Sequence, residues 1–301
     1  MGGEPLGATE PLGATEPLAD PLDRAPRFDD RRDLLRPPRL FALFFRVGAL
    51  NELQYRANLA VQLFQSAIAL GTGLIVLNLV FGQTTNLGGW SQTELLAVMG
   101  VHILMGGIIN SAIQPGMERL MTDVREGTLD FILTKPADAQ VLISVREFRI
   151  WQSVDVLVGA IVLAIAVGQL QTGVGLGAAL IFGATLLLGG VMVYCFWFLI
   201  TTAAFWVTRM DEIHELFEGL YQSGRWPVTI HPGWLRISLT FLVPIAFAVT
   251  VPAEALTRRL TVETFAIVLA FAIALAFASG LFVAMRWFFR FGLRSDSGES
   301  A

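Results

Sequence analysis

The amino-acid sequence predicts an all-α integral membrane protein with six transmembrane helices. The chain is 54% hydrophobic and 15% charged, with a mean hydropathy of +0.62, whereas soluble domains usually carry about 25% charged residues. Five long stretches contain no Asp, Glu, Lys or Arg: 57–93, 95–117, 156–208, 237–253 and 264–285. A spanning helix needs roughly 20 mostly apolar residues. Because lipid cannot satisfy free backbone groups, these stretches are predicted to be helices.

The six spans are predicted in order along these stretches. The run at 156–208 is long enough for part of the third span and all of the fourth, separated by the Gly-rich sequence QTGVGLG. Pro244 lies in the middle of the fifth span, which is therefore predicted to be kinked or partly re-entrant. The predicted spans lie near 58–81, 95–114, 151–170, 178–206, 236–252 and 264–288.

Basic residues predict the orientation of these spans. Six spans place 19 of the 21 Lys and Arg residues on one side, leaving Arg258 and Arg259 on the other. Because basic residues favour the cytoplasmic side, both termini are predicted to be cytoplasmic. The expected location is the inner (plasma) membrane, as a multi-pass protein.

Composition also divides the chain into segments. Residues 1–38 contain the repeat EPLGAT and are predicted to be a disordered cytoplasmic tail. Residues 39–291 form the predicted membrane domain, and 292–301 form a short cytoplasmic tail. Within that domain, 39–58 mixes Phe and Leu with charged residues, which predicts an amphipathic helix in the interface or, alternatively, an extension of the first span.

A few polar residues fall inside the predicted spans. His102 and Asn110, in the second span, are predicted either to bond neighbouring helices or to line a pathway. Asp155 lies one turn into the third span, where a carboxylate is a functional candidate. At that depth it can instead reach interfacial water or an arginine such as Arg149, and an ion pair is expected.

No metal site is predicted, because His214 and Glu218 have the i, i+4 spacing of metal ligands but no third ligand accompanies them. Their segment is predicted to be a solvated cytoplasmic helix.

The sequence lacks the motifs of common catalytic sites, so no catalytic residue is predicted. A phosphate-binding loop needs Lys after Gly and before Ser or Thr, but the only lysine, Lys135, lies between Thr134 and Pro136. The sequence also lacks G-x-S-x-G, H-E-x-x-H and paired cysteines. The chain is therefore not predicted to be an enzyme, and ATP with Mg²⁺ would have to bind to a partner subunit.

A compact charged segment, REGTLDFILTKP (125–136), follows the second predicted span. It is similar to the cytoplasmic loop between spans two and three of ABC-2-type transporter permeases. The segment 224–256, GRWPVTIHPGWLR followed by FLVPIAFAVTVPAEAL, resembles a six-span subgroup of the same family. The residues that carry the first resemblance are Arg125, Glu126, Gly127, Thr128, Leu129, Asp130, Leu133, Thr134 and Pro136, with Lys135 at a variable position.

The resemblance implies a permease subunit of an ATP-binding-cassette exporter. Two permeases, identical or similar, would form the transmembrane pathway, and two separate ATPase subunits would dock on the 117–136 loop, which supplies a coupling helix. An elbow helix before span one and short outer re-entrant helices near spans five and six are also implied. The expected partners are ATPase subunits, a second permease and the lipid bilayer, without nucleic acid.

The residues of this loop suggest docking independently of the resemblance. Gly127 is predicted to break the helix before it. Leu129, Phe131 and Ile132 are predicted, with Leu133, to form a short apolar face for the ATPase, surrounded by the charges of Arg125, Glu126, Asp130 and Lys135. Alternatively, the loop packs on its own bundle. A second cytoplasmic contact is predicted at Arg225, Trp226 and Pro227.

Two other functional classes remain open from sequence. An ion- or proton-coupled carrier or channel without an ATPase partner would place ionisable groups at mid-membrane, where His102 is the candidate. An intramembrane enzyme or an assembly scaffold is the other alternative.

Overall fold

A computed structural model describes residues 56–135, 138–170, 174–203, 206, 211–257 and 264–299. The predicted elbow and tail before residue 56, and Pro136, lie outside these residues. The described residues form helices without a β-strand; Leu87 and Trp90 form a single bridge in a turn. The α-helices are α1 Arg56–Phe81, α2 Gln92–Ile108, α3 Gln114–Glu126, α4 Asp130–Leu133, α5 Ala139–Val145, α6 Val154–Gln169, α7 Leu176–Thr202, α8 Asp211–Ser223, α9 Gly233–Ile237, α10 Val251–Leu256 and α11 Thr264–Glu299.

Four of the helical stretches are long and apolar enough to cross a membrane, which confirms the all-α membrane class. They are Asn58–Phe81, Gln92–Glu126, Ile150–Gln169 and Leu176–Thr202. A bent pair, Gly233–Leu242 and Ala246–Leu256, makes a fifth if it is counted as one span. Six spans are therefore not confirmed by length and composition, although α11 is helical over the residues predicted as the sixth.

The second predicted span is longer than expected, because helix continues from Gln92 to Glu126 through a π-helical turn at Ile109–Ile113. At 1.5 Å per residue this rod is about 50 Å long. Ser91 and Glu94 cap its start with a reciprocal capping box. The extension stays helical beyond the predicted end at 114 because buried apolar residues continue along it, among them Met117 and Leu120.

Glycines allow α2 and α6 to pack with their backbones in close contact. A Cβ atom on Gly100 would lie 2.8 Å from the backbone nitrogen of Leu163, and one on Gly107 would lie 2.5 Å from that of Val156. Between these points, a Cβ on Gly159 would collide with the backbone of Leu104. Small residues permit this close approach of helices in membranes.

The bundle has two ends, which we name by their connections. The turn end holds the α1–α2 connection at 82–91, and the loop end holds 127–149. The chain from α8 to Ile230 runs from the loop end to the turn end. Phe217 packs on Trp197 near the loop end of α7, with ring centroids 4.5 Å apart, whereas Trp90 in the α1–α2 turn donates a hydrogen bond to Thr229 at 3.0 Å.

The bent pair enters the bundle and returns to the same end. Its halves meet at 82° around Pro244, which confirms the predicted kink. In the first half, Arg236 donates to the carbonyl oxygen of Thr229 at 2.8 Å; in the second, Thr250 accepts from the backbone of the adjacent Val228 at 3.2 Å. Because both halves contact neighbouring residues at the turn end, 236–252 forms a re-entrant hairpin, which is the second of the two forms predicted for the fifth span.

The glycine contact between α2 and α6 predicts the effect of a single methyl group. Gly159→Ala should destabilise the protein by about 1–3 kcal/mol, because the added carbon overpacks the helix contact. The measurement is the thermal unfolding midpoint of the purified protein in detergent.

Gly168→Ala, in the same helix, is the control for Gly159→Ala. A Cβ there meets nothing within 4 Å, and alanine favours helix over glycine, so the midpoint should stay level or rise. Equal midpoints for the two variants would contradict the close contact.

The two ends of the bundle predict opposite accessibility across the membrane. In a Cys195→Ser background, Gln83→Cys and Trp234→Cys should react from one side of the membrane, and Thr134→Cys from the other. The measurement is labelling by an impermeant maleimide in vesicles of both orientations. Cys195 is buried, so the wild type should label weakly, and labelling of Trp234→Cys from the side of Thr134→Cys would overturn the re-entrant path.

Candidate functional site

The segment after α3 is held rigidly to the end of that helix. Gly127 ends α3 with a left-handed backbone, at φ 66°, which favours glycine and confirms the predicted helix break. Thr128 then donates two hydrogen bonds to Asp123, from its backbone nitrogen to the carbonyl oxygen at 2.9 Å and from its hydroxyl to Oδ1 at 3.1 Å. The chain therefore leaves the helix in a fixed direction before α4 begins at Asp130.

Asp123 also joins this segment to two arginines. Its side chain is 2% exposed and forms ion pairs with Arg119 at 3.2 Å and with Arg146, which follows α5. A buried carboxylate is stable only when its charge and lone pairs are satisfied. Asp123 therefore fixes α3, the 127–129 turn and the start of the next connection relative to each other.

The structure corrects the prediction that this segment has an exposed apolar face, because two of the residues of that face are buried. Leu129 and Ile132 are 2% and 4% exposed and belong to the protein's own core, whereas Phe131 is 74% exposed. The short helix α4 turns these two residues inward and Phe131 outward. The alternative that the loop packs on its own bundle is thus correct for two of the residues.

Charged residues that precede and follow Phe131 in this segment are exposed as well. The predicted coupling residues Arg125, Glu126, Asp130 and Lys135 are all exposed, and Thr128 is half-buried. Leu133 ends α4. The loop end thus presents one large aromatic side chain within a mixed-charge surface.

The second predicted contact, at Arg225, Trp226 and Pro227, lies at the turn end and not beside this surface. Arg225 and Trp226 line a cavity with Gly73 of α1 and Met99 of α2, and Pro227 is buried. The structure therefore does not bring these residues together with the loop-end segment, because 211–230 runs along the bundle from the loop end towards the turn end.

His102 and Asn110, predicted as pathway residues, line one cavity of about 120 Å³. The cavity, which we call the central cavity, lies between α1, α2, α6 and α8. The His102 ring stacks on Tyr221, with centroids 4.5 Å apart, and Tyr221 donates to the carbonyl oxygen of His102 at 2.7 Å. The Nδ1 atom of His102 is buried and has no hydrogen-bond partner among the residues that the structure describes.

Asp155 lines the same cavity without the predicted arginine. It accepts hydrogen bonds from Gln62 at 3.1 Å and from the hydroxyl of Ser66. Arg149 instead pairs with Glu118 of α3. The expected Asp155–Arg149 ion pair is therefore wrong, because Asp155 faces α1 while Arg149 reaches the extended second helix.

Sequence reasoning did not place Ser66, Glu218, Tyr221 or Arg225 in this cavity. The only indication of Ser66 in the sequence is that it is a polar residue in a predicted span. Glu218, Tyr221 and Arg225 were missed because the charge of their segment made it resemble a surface helix. Its aromatic residues at i, i+4 spacing, Phe217 and Tyr221, were the available signal of a buried face.

A family model described as ABC-2 family transporter protein matches residues 67–300. This range includes the loop-end segment and all of the central cavity except Ser66. No curated protein and no solved structure matches the chain.

The network around Asp123 predicts a cost for removing its carboxylate. Asp123→Ala should lower the free energy of unfolding by about 3 kcal/mol, because Arg146 is left partly buried without its partner. Hydrogen exchange should also rise at 127–133, since the hydroxyl of Thr128 loses its acceptor, Oδ1 of Asp123. Thermal unfolding and hydrogen-exchange mass spectrometry measure these changes.

The exposed pair Asp138–Arg286, at 3.2 Å, supplies a matched control for Asp123→Ala. Arg286→Ala should cost less than about 1 kcal/mol, as exposed ion pairs usually do. A comparable loss for both variants would mean that Asp123 has no special role at the loop end.

Proposed function

The chain belongs to the ABC-2 transporter family, and we propose that it is the permease subunit of an exporter driven by separate ATPase subunits. The family is a membrane transport component. The observation that carries the docking proposal is Phe131, exposed at the loop end on a segment that is otherwise anchored in the core. An exposed aromatic residue on a rigid support, with charges around it, is a common anchor of protein interfaces.

In this proposal the ATPase receives Phe131 in an apolar pocket. Glu126, Asp130 and Lys135 set the register through charges at the rim. Leu129 and Ile132 contribute indirectly, because their burial holds α4 in place. ATP and Mg²⁺ bind to the partner, not to this chain.

The continuous helix from Gln92 to Glu126 supplies the mechanical link. Its loop end carries the docking segment through Asp123, and its middle carries His102 and Asn110 in the central cavity. A push on α4 therefore reaches the cavity through one rod of about 50 Å. We propose that ATPase closure shifts this rod and changes the access of the cavity from one membrane face to the other.

We also propose six membrane crossings, with both termini in the cytoplasm. The crossings are α1, the helix from Gln92 to Glu126, α6, α7, the chain from α8 to Ile230, and α11. The bent pair is re-entrant from outside. This arrangement moves Arg225 and Arg236 to the outer half but still leaves 17 of 21 basic residues on the cytoplasmic side, as the distribution of basic residues in membrane proteins requires.

A second permease subunit covers the open face of α8 in this arrangement. Glu215, Gly219 and Gln222 are exposed in the single chain. Polar side chains of a membrane crossing avoid lipid and face protein or water. We therefore propose that a second permease, identical or similar, faces α8 and encloses the pathway with it.

The carrier without an ATPase remains a second candidate because Asp155 is an ionisable group inside a candidate span. Transport by the permease alone in liposomes, driven by an ion gradient and unaffected by ATPase removal, would establish it. Transport that requires both ATP and the partner would exclude it.

Phe131→Ala is expected to weaken capture of the ATPase at least tenfold, because truncating an interface anchor costs more than 1–2 kcal/mol. The measurement is co-purification of the endogenous ATPase with the tagged permease from native membranes, followed by permease-stimulated ATP hydrolysis. Membrane insertion should be unchanged.

Trp234→Ala is the control for Phe131→Ala, since Trp234 is a comparable aromatic residue, 71% exposed, on the opposite end. It should leave ATPase capture intact. Undiminished capture by Phe131→Ala and by a Glu126→Gln, Lys135→Gln double variant would refute docking at this segment.

A further inference from the structure

The central cavity contains ionisable side chains of opposite sign from different helices. Asp155 of α6 and Glu218 of α8 contribute carboxylates, and Arg225, just beyond α8, contributes a guanidinium. Buried or half-buried charges are retained in membranes mainly where they pair or contact a ligand. The pairing of these groups therefore decides what the cavity can bind.

None of these three charges has an ionic partner among the described residues. Asp155, Glu218 and Arg225 form no ion pair within 4.0 Å there. Asp155 receives only neutral donors, from Gln62 and Ser66. Glu218 likewise accepts only from a neutral group, the amide of Gln222, at 2.8 Å.

The charges are separated along the axis of the bundle. Asp155 lies at the first turn of α6, towards the loop end, and Arg225 lies between α8 and the turn end. Glu218 is two turns before Arg225, about 10 Å towards the loop end at 1.5 Å per residue. The cavity is thus negative on its loop side and positive on its turn side.

Neutral groups complete the lining between these charges. Asn110, Ser66 and the unpartnered Nδ1 of His102 supply polar atoms, whereas Leu70 and Ile103 supply apolar surface. A volume of about 120 Å³ admits a small polar group, not a whole drug-sized molecule. A buried nitrogen that has no partner among the described residues, beside three charges without an ionic partner, is suited to contact a polar ligand.

We infer that the central cavity binds a zwitterionic group, with an ammonium on Asp155 and a phosphate or carboxylate on Arg225. This inference rests on the proposed function and names the class of molecule that the permease carries. The shared chemistry is an ammonium joined through a few bonds to an anion. Such a group occurs free in solution and as the head of a phospholipid.

The first test varies the ligand and leaves the protein unchanged. Binding to the purified full chain in a non-ionic detergent is measured by calorimetry with O-phosphoethanolamine and with lysophosphatidylethanolamine. The N-acetyl derivative of each probe lacks the cation, and ethanolamine lacks the anion. Each N-acetyl derivative should bind at least tenfold more weakly than the probe from which it is made, and ethanolamine at least tenfold more weakly than O-phosphoethanolamine. In each case one charge-assisted contact is lost.

The second test removes each protein charge with little change in shape. Asp155→Asn should weaken both zwitterionic probes about tenfold and abolish the preference over the N-acetyl derivative. Arg225→Gln should weaken them similarly and abolish the preference over ethanolamine. Asp138→Asn and Arg286→Gln, which change an exposed ion pair at 3.2 Å elsewhere, are the matched controls and should bind as the wild type.

The outcomes distinguish a lipid from a soluble ligand and show whether the inference holds. Tighter binding of lysophosphatidylethanolamine assigns the group to a lipid, and equal binding of the two probes assigns it to a soluble molecule. Equal binding of zwitterionic and singly charged probes, sensitivity to only one of the two charge-removing variants, or no binding of either probe would overturn the inference.

Failure here is distinguishable from failure of the proposed function. The calorimetry contains no ATPase, so lost ligand selectivity with normal ATPase capture rejects only the zwitterion site. Normal ligand selectivity in a chain that captures no ATPase rejects only the docking proposal.

Discussion

The close contact between α2 and α6 determines where most other features of this protein lie. Without side chains at Gly100, Gly107 and Gly159, the two backbones approach more closely than any alanine-lined pair could. That contact brings Asp155 beside the part of α2 that carries His102 and Asn110. The cavity therefore follows from the packing of two helices, since α1 and α8 only close its remaining sides.

The same long helix couples packing to function at its other end. Its charged extension would be unfavourable as free helix beside a membrane, but Glu118 and Asp123 find arginines after α5. Those pairs hold a loop that has few contacts of its own in fixed orientation. The exposed side chain of Phe131 can then act as a rigid point of contact, because the segment that carries it moves together with the bundle.

Local sequence patterns predicted the features that depend on local physics. Apolar length predicted the candidate spans, Gly127 predicted a helix end, and Pro244 predicted a break. Features that depend on distant partners were not predictable in this way. Leu129 appeared exposed because the core that buries it comes from other segments. The second span appeared to end at 114 because the partners of its charges, Asp123 and Glu118, lie 23 and 31 residues later.

The path of α8 through the bundle was also not predictable from its charge pattern. Its acidic residues made 211–223 look like a surface helix, yet Phe217 and Tyr221 pack deep in the bundle while Gly219 and Gln222 face outward. A helix can be too polar to enter lipid alone and still cross a membrane when protein covers its polar side. The candidate site was therefore recognised only in part, through His102 and Asn110, and its charged residues came from the structure.

The re-entrant hairpin has a consequence for biosynthesis. Its bend leaves irregular backbone around Val243–Ile245, which lipid cannot satisfy, and Phe241 and Phe247 both contact Phe277 of the last helix. During translation the hairpin emerges before the helix that covers it. The hairpin can pack on α7 as soon as it is made, but its contacts with Phe277 form only after α11 has been inserted, so this segment reaches its final packing late in folding.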